Sequence, residues 1–134
     1  MSYQSVLRPG LFSGQTFIVT GGGSGIGRCT AHELAALGAR VALVGRKAEK
    51  GEAVQAEISD DGGIATAHVC DIREEESVRA TVAAILEAHG GLNGVVNNAG
   101  GQFPSPLTGI NQKGWETVVR TNLTSGFLMA RETY

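Results

Sequence analysis

The residues best suited to chemistry lie in one stretch, Thr20-Gly21-Gly22-Gly23-Ser24-Gly25-Ile26-Gly27. Glycine tolerates positive φ and lets a bulky anion lie against bare backbone. A helix that begins at such a turn points unpaired N–H groups and the positive end of its dipole at the anion. The stretch is therefore a candidate cradle for paired phosphates, with Gly21, Gly23, Ser24, Gly25, Ile26 and Gly27 as its contacts. Further along stand two adjacent cations, Arg46 and Lys47, then Asp71-Ile72, then Asn98-Ala99-Gly100, and last the amide Asn122. A guanidinium pairs bidentately with phosphate and stacks on a flat ring, so Arg46 suits a phosphorylated nucleotide. The histidines His32, His68 and His89 are scattered without ligand spacing, and no metal is expected.

These groups need a frame. The apolar run Phe17-Ile18-Val19 precedes the cradle and an alanine- and leucine-rich segment follows it to Leu37. That pattern predicts a strand from Thr16 to Thr20, then a helix from Gly25 to Leu37 that buries Ile26, Thr30, Leu34 and Leu37. Gly38 then caps the helix in the left-handed conformation. Arg40 to Val44 is short and almost wholly apolar, as in strands covered on both faces. A helix is expected from Lys47 to Ser59, broken by Asp60-Asp61-Gly62-Gly63. Ile64 to Cys70 reads as a third strand, Glu74 to His89 as a helix, and Leu92 to Asn97 as a fourth strand. One last helix is expected from Lys113 to the final residue. Four alternations of strand and helix predict an α/β fold, a doubly wound parallel sheet built by right-handed crossovers. Residues 1–13 read as a surface extension and 14–134 as one domain.

Composition narrows the class. The chain has 134 residues, 42% hydrophobic, and a formal net charge of −2, so it offers no basic field for nucleic acid. No apolar run reaches the length of a membrane span. The amino terminus lacks a signal pattern, which predicts a cytoplasmic protein, with a peroxisomal address left open. Cys29 and Cys70 lack C-x-x-C spacing and are expected as buried, reduced thiols.

The register T-G-x-x-x-G-x-G on Gly21, Gly25 and Gly27, followed by Asn97-Asn98-Ala99-Gly100, resembles the short-chain dehydrogenase/reductase family across nearly the whole chain. The resemblance implies a Rossmann-type fold and hydride transfer with NAD(H) or NADP(H). In such folds the residue ending the second strand reads the adenosine ribose, and a carboxylate there repels a 2′-phosphate. Gly45, Arg46 and Lys47 occupy that place, so NADP(H) is expected over NAD(H), with Arg46 as the main contact and Lys47 second. The resemblance also implies that Asp71 accepts from the adenine amino group, with Ile72 against the ring. It sets Asn98, Ala99 and Gly100 beside the nicotinamide ribose and leaves Asn97 to tie neighbouring strands.

The family's usual site joins an Asn, a Ser and a Tyr-x-x-x-Lys. Asn122 matches the first, in the role of organising a water for proton relay. Neither Tyr3 nor Tyr134 has a lysine at the required spacing. About six strands make a full dinucleotide fold and four are legible, so the chain is expected to be an amino-terminal fragment, inactive alone. Its fourth strand would keep an open edge and its last helix would lack partners, which predicts low stability. In the resembling family that helix packs against another subunit, so a homo-oligomer is expected of the complete protein.

Gly100-Gly101-Gln102-Phe103 with Pro106, Gly114-Trp115 and Thr121-Asn122-Leu123-Thr124 look like peroxisomal trans-2-enoyl-CoA reductases and 2,4-dienoyl-CoA reductases. That likeness implies a small-molecule substrate of the acyl-CoA class, and an apolar loop suits a fatty chain. Two alternatives stand beside it: a 3-oxoacyl or alcohol dehydrogenase of the same family, and a nucleotide-binding fragment without catalysis.

Overall fold

Neighbouring side chains along the central strands point to opposite faces, and both faces are apolar. Such strands must be covered twice, and this fixes the architecture. A computed structural model describes residues 2–134. Strand β1 (Thr16–Thr20) leads through helix α1 (Gly25–Ala36) to β2 (Arg40–Gly45), and α2 (Ala48–Asp60) leads to β3 (Ile64–Val69). Helix α3 (Glu75–His89) then returns the chain to the far side of β1, where β4 (Gly94–Val96) pairs. The parallel sheet has the order β3-β2-β1-β4, with Thr16 opposite Arg40, Arg40 opposite Ile64 and Phe17 opposite Gly94. The chain moves outward from β1 in both directions, which opens a crevice at the carboxyl ends of β1 and β4.

On one face Val19, Val41, Leu43 and Ala65 meet Ala31, Leu34, Val54 and Ile58 of α1 and α2. On the other, Ile18, Ala42 and Val44 meet Val78, Val82 and Ile85 of α3 and Leu128 and Met129 near the end of the chain. The doubly wound α/β reading therefore holds for these four strands.

Several finer expectations change. Helix α1 buries Gly27, Ala31, His32, Leu34 and Ala35. Ile26 is 79% exposed, because the first turn faces the open cradle and not the sheet. Cys29 also lies on the solvent side of α1, and Cys70 alone is buried. The last helix is not continuous. It runs as α4 (Gln112–Val119), a π-helical turn at Arg120–Thr124, and α5 (Ser125–Thr133). At this turn Asn122 Nδ2 donates to the Val118 carbonyl at 2.9 Å and to Gly101 O at 2.8 Å, so a side chain takes a carbonyl of the helix while the backbone bonds widen to the π spacing. Strand β4 is shorter than expected, three residues, and pairs on one side only.

The amino-terminal segment is pinned to α1. The hydroxyls of Tyr3 and Ser5 both donate to the Glu33 carboxylate, and the Tyr3 ring stacks on His32 at 5.7 Å. Among the described residues no helix is long and apolar enough to cross a membrane.

Candidate functional site

Tight backbone approach builds the cradle. Gly21 and Gly25 adopt φ values of +68° and +54°, which favour glycine. A Cβ on Gly27 would stand 2.2 Å from the Gly21 carbonyl oxygen and 2.5 Å from Asn98 Nδ2, so α1 comes this close to β1 and β4 only through a bare Cα. At Gly25, by contrast, nothing lies within 4 Å of the missing Cβ, and the turn opens outward. Ser24 is the N-cap of α1, yet its hydroxyl makes no capping bond and is free to meet an anion. Open space, free N–H groups at a helix start and a free hydroxyl together fit a pyrophosphate.

Two cavities meet at this turn, sharing Gly21, Ser24, Val44, Gly45 and Arg46. The first extends over Gly23, Lys47, Lys50 and His68 between α2 and the ends of β2 and β3. The second, of about 540 Å³, runs from Asp71, Ile72 and Arg73 to Asn98, Ala99, Gly100 and Thr121. The fold thus brings Gly21, Gly23, Ser24, Arg46, Lys47, Asp71, Ile72, Asn98, Ala99 and Gly100 onto one continuous surface. Gly25 and Ile26 form the exposed shoulder of the cradle, and Gly27 lies buried beneath it. Asn122 is set back one step. Its Oδ1 accepts from Gly101 N–H at 3.2 Å while Nδ2 donates to Gly101 O, bracing the loop that leaves β4.

Asn97 is exposed, whereas Asn98 ties the strands, donating from Nδ2 to Thr20 O at 2.9 Å. The strand-tying role expected of Asn97 falls to Asn98, because β4 ends at Val96 and the chain turns Asn98 inward toward β1. Thr20 is the residue that motif reading passed over. Its buried hydroxyl accepts from the Asn98 and Ala99 N–H groups, both at 3.0 Å, and faces the Val96 carbonyl at 3.3 Å. One side chain at the end of β1 therefore holds the backbone beside the crevice. Thr20→Val keeps the shape and removes the acceptor, so urea unfolding should register a loss of about 2 kcal/mol. A loss below about 0.5 kcal/mol would show that the clamp carries no stability.

Residues 15–134 match the family described as short chain dehydrogenase. The chain belongs to the short-chain dehydrogenase family. It is 46% identical to 2,5-dichloro-2,5-cyclohexadiene-1,4-diol dehydrogenase of Sphingobium indicum over 87% of this chain and 46% of the other. The solved structure of a citronellol catabolism dehydrogenase of Pseudomonas aeruginosa superposes with a TM-score of 0.93 at 66% identity, covering 98% of this chain and 54% of that one. A metagenomic short-chain oxidoreductase in complex with NADP superposes with a TM-score of 0.84 at 40% identity, over 90% of this chain and 55% of that one. The chain thus spans about half the length of these relatives (46% to 55%). Two of these relatives are named as dehydrogenases of a diol and of citronellol catabolism, and neither is named as an enoyl-CoA reductase.

Around the crevice the charge is set by a few groups. The Asp71 carboxyl is held down to about 2, chiefly by Arg73, whose side chain bonds to both its oxygens. The side chains of Arg46 and Lys47 make no hydrogen bond or ion pair with any described residue. Two exposed cations whose side chains lack an acidic partner suit an anion.

Proposed function

We propose that the complete protein is an NADP(H)-dependent oxidoreductase that moves a hydride between the nicotinamide and an apolar substrate. The observation that carries the cofactor choice is Arg46 at the end of β2, free of internal partners, where a carboxylate would select NAD(H). Gly21, Gly23, Ser24, Gly25, Ile26 and Gly27 would hold the pyrophosphate, and Arg46 with Lys47 the 2′-phosphate. Asp71 and Ile72 would meet the adenine; Asn98, Ala99 and Gly100 would lie along the nicotinamide ribose. The NADP held by a relative of 40% identity supports this reading. When bound, the dinucleotide supplies or accepts the hydride; the residues of this chain bind and orient it.

Asn122 is proposed as the amide that organises a water for proton relay. Its place at a π-helical turn supports that role, since such turns are common at functional sites. The acid/base would come from the remainder of the protein, so the 134-residue segment is proposed to be inactive by itself. Trp115, Leu123 and Phe127 stand exposed on α4, the π turn and α5, which supports self-association of the complete protein.

For the substrate, the loop after β4 exposes Phe103, Leu107 and Ile110, and these apolar side chains suit a hydrocarbon chain. An acyl thioester with a conjugated double bond is the first reading. The second is an alcohol with a branched apolar tail, favoured by the relative named for citronellol catabolism. Assay of the complete protein decides between them. NADPH oxidation with crotonyl-CoA is the expected result of the first reading. NADP⁺ reduction with citronellol, and no response to the thioester, would replace it with the second. Failure to bind NADPH at all would overturn both.

A further inference from the structure

Arg73 holds Asp71 by three bonds. Its backbone N–H donates to Oδ1 at 3.1 Å, its Nε donates to the same oxygen at 2.9 Å, and its Nη2 donates to Oδ2 at 2.7 Å. Both in-plane lone pairs of Oδ1 are taken, and one remains on Oδ2. A single acceptor position is enough for one adenine amino group. The charge is the larger matter, because Asp71 and Arg46 line the same cavity. Arg46 is close enough to be felt at Asp71, where it adds the last and smallest contribution to that carboxyl's acidity, after Arg73.

A bare carboxylate at this point would act against a 2′-phosphate in two ways. It would attract the Arg46 guanidinium away from the phosphate, and it would repel the phosphate itself. We propose that Arg73 is a specificity-determining residue for the 2′-phosphorylated cofactor, acting through Asp71 as a positioning residue. By engaging both oxygens it lets Asp71 remain available to adenine while leaving Arg46 to the phosphate. The inference rests on the cofactor reading given above. Arg73 lies one residue before Glu74, the N-cap of α3.

The test separates this role from a merely structural one, because NADPH and NADH share the same adenine. Loss of an ordinary structural contact weakens both cofactors alike and leaves their affinity ratio unmoved. The complete protein, Arg73→Met, Arg73→Lys and the double variant Arg73→Met with Asp71→Asn are titrated with NADPH and with NADH, reading nicotinamide fluorescence. Arg73→Met should lower the NADPH-over-NADH affinity ratio by about fivefold at low salt, and less at high salt. Arg73→Lys restores the charge and should recover most of the ratio. The double variant removes the carboxylate charge together with its partner and should also recover it. An unchanged ratio in Arg73→Met, equal losses for both cofactors, or no recovery in the double variant would overturn the proposal. A native protein that shows no preference for NADPH would instead reject the cofactor reading, an outcome visible before any variant is made.

Discussion

Gly27→Ala should abolish measurable dinucleotide binding and cost about 3 kcal/mol of stability. The added methyl would sit 2.2 Å from a backbone oxygen, and no rotamer change relieves a clash with backbone. Either α1 moves away from β1 or the turn at Gly21 opens, and both destroy the donor geometry at the helix start. Gly25→Ala is the informative contrast. Its Cβ enters open space, so the stability cost is confined to the positive φ, about 1 kcal/mol. That methyl would project into the open space of the proposed phosphate site, so binding should weaken more than tenfold while folding is largely kept. Thermal unfolding and NADPH titration of the two variants check both halves. Tight NADPH binding by Gly27→Ala would remove the cradle from the argument altogether.

The second large effect concerns cofactor choice. Arg46→Ala should cut the NADPH-over-NADH affinity ratio by about 30-fold, the equivalent of one charge-assisted bidentate contact worth about 2 kcal/mol. Affinity for NADH should hardly change, since the 2′-hydroxyl needs no cation. Lys47→Ala should produce a much smaller shift, because Lys47 is the N-cap of α2 and carries a flexible point charge. Titrations at two salt concentrations check the origin of the effect. A ratio that stays within twofold of the native value would refute the assignment of Arg46. The Arg73→Met shift described above should be smaller than this one, because it acts through an intermediate carboxylate.

Membership in the short-chain dehydrogenase family accounts for the order of the sheet and the position of the crevice. It does not choose a substrate, since the relatives described above are named for different molecules. The substrate question therefore passes to the site itself, including the loop bearing Phe103, Leu107 and Ile110.

Much was determined by the sequence itself. Continuous apolar runs at Phe17–Val19 and Val41–Val44 required strands covered on both faces, and glycines at the ends of these runs required sharp turns into helices. Both features are local, a matter of periodicity and of backbone freedom, so the order of elements and the cradle were legible. What only tertiary structure decided was rotational: which way a given side chain faces. Ile26 shared the spacing of a buried stripe, yet the first turn of α1 hangs over the crevice and leaves it outside. Asn97 and Asn98 differ by one residue, and the end of β4 at Val96 turned the second, not the first, toward Thr20. Thr20, Arg73 and the π turn at Asn122 gain their roles from partners distant in sequence or across a bend. Local pattern carries no record of such partners, because their bonds exist only once the strands have paired.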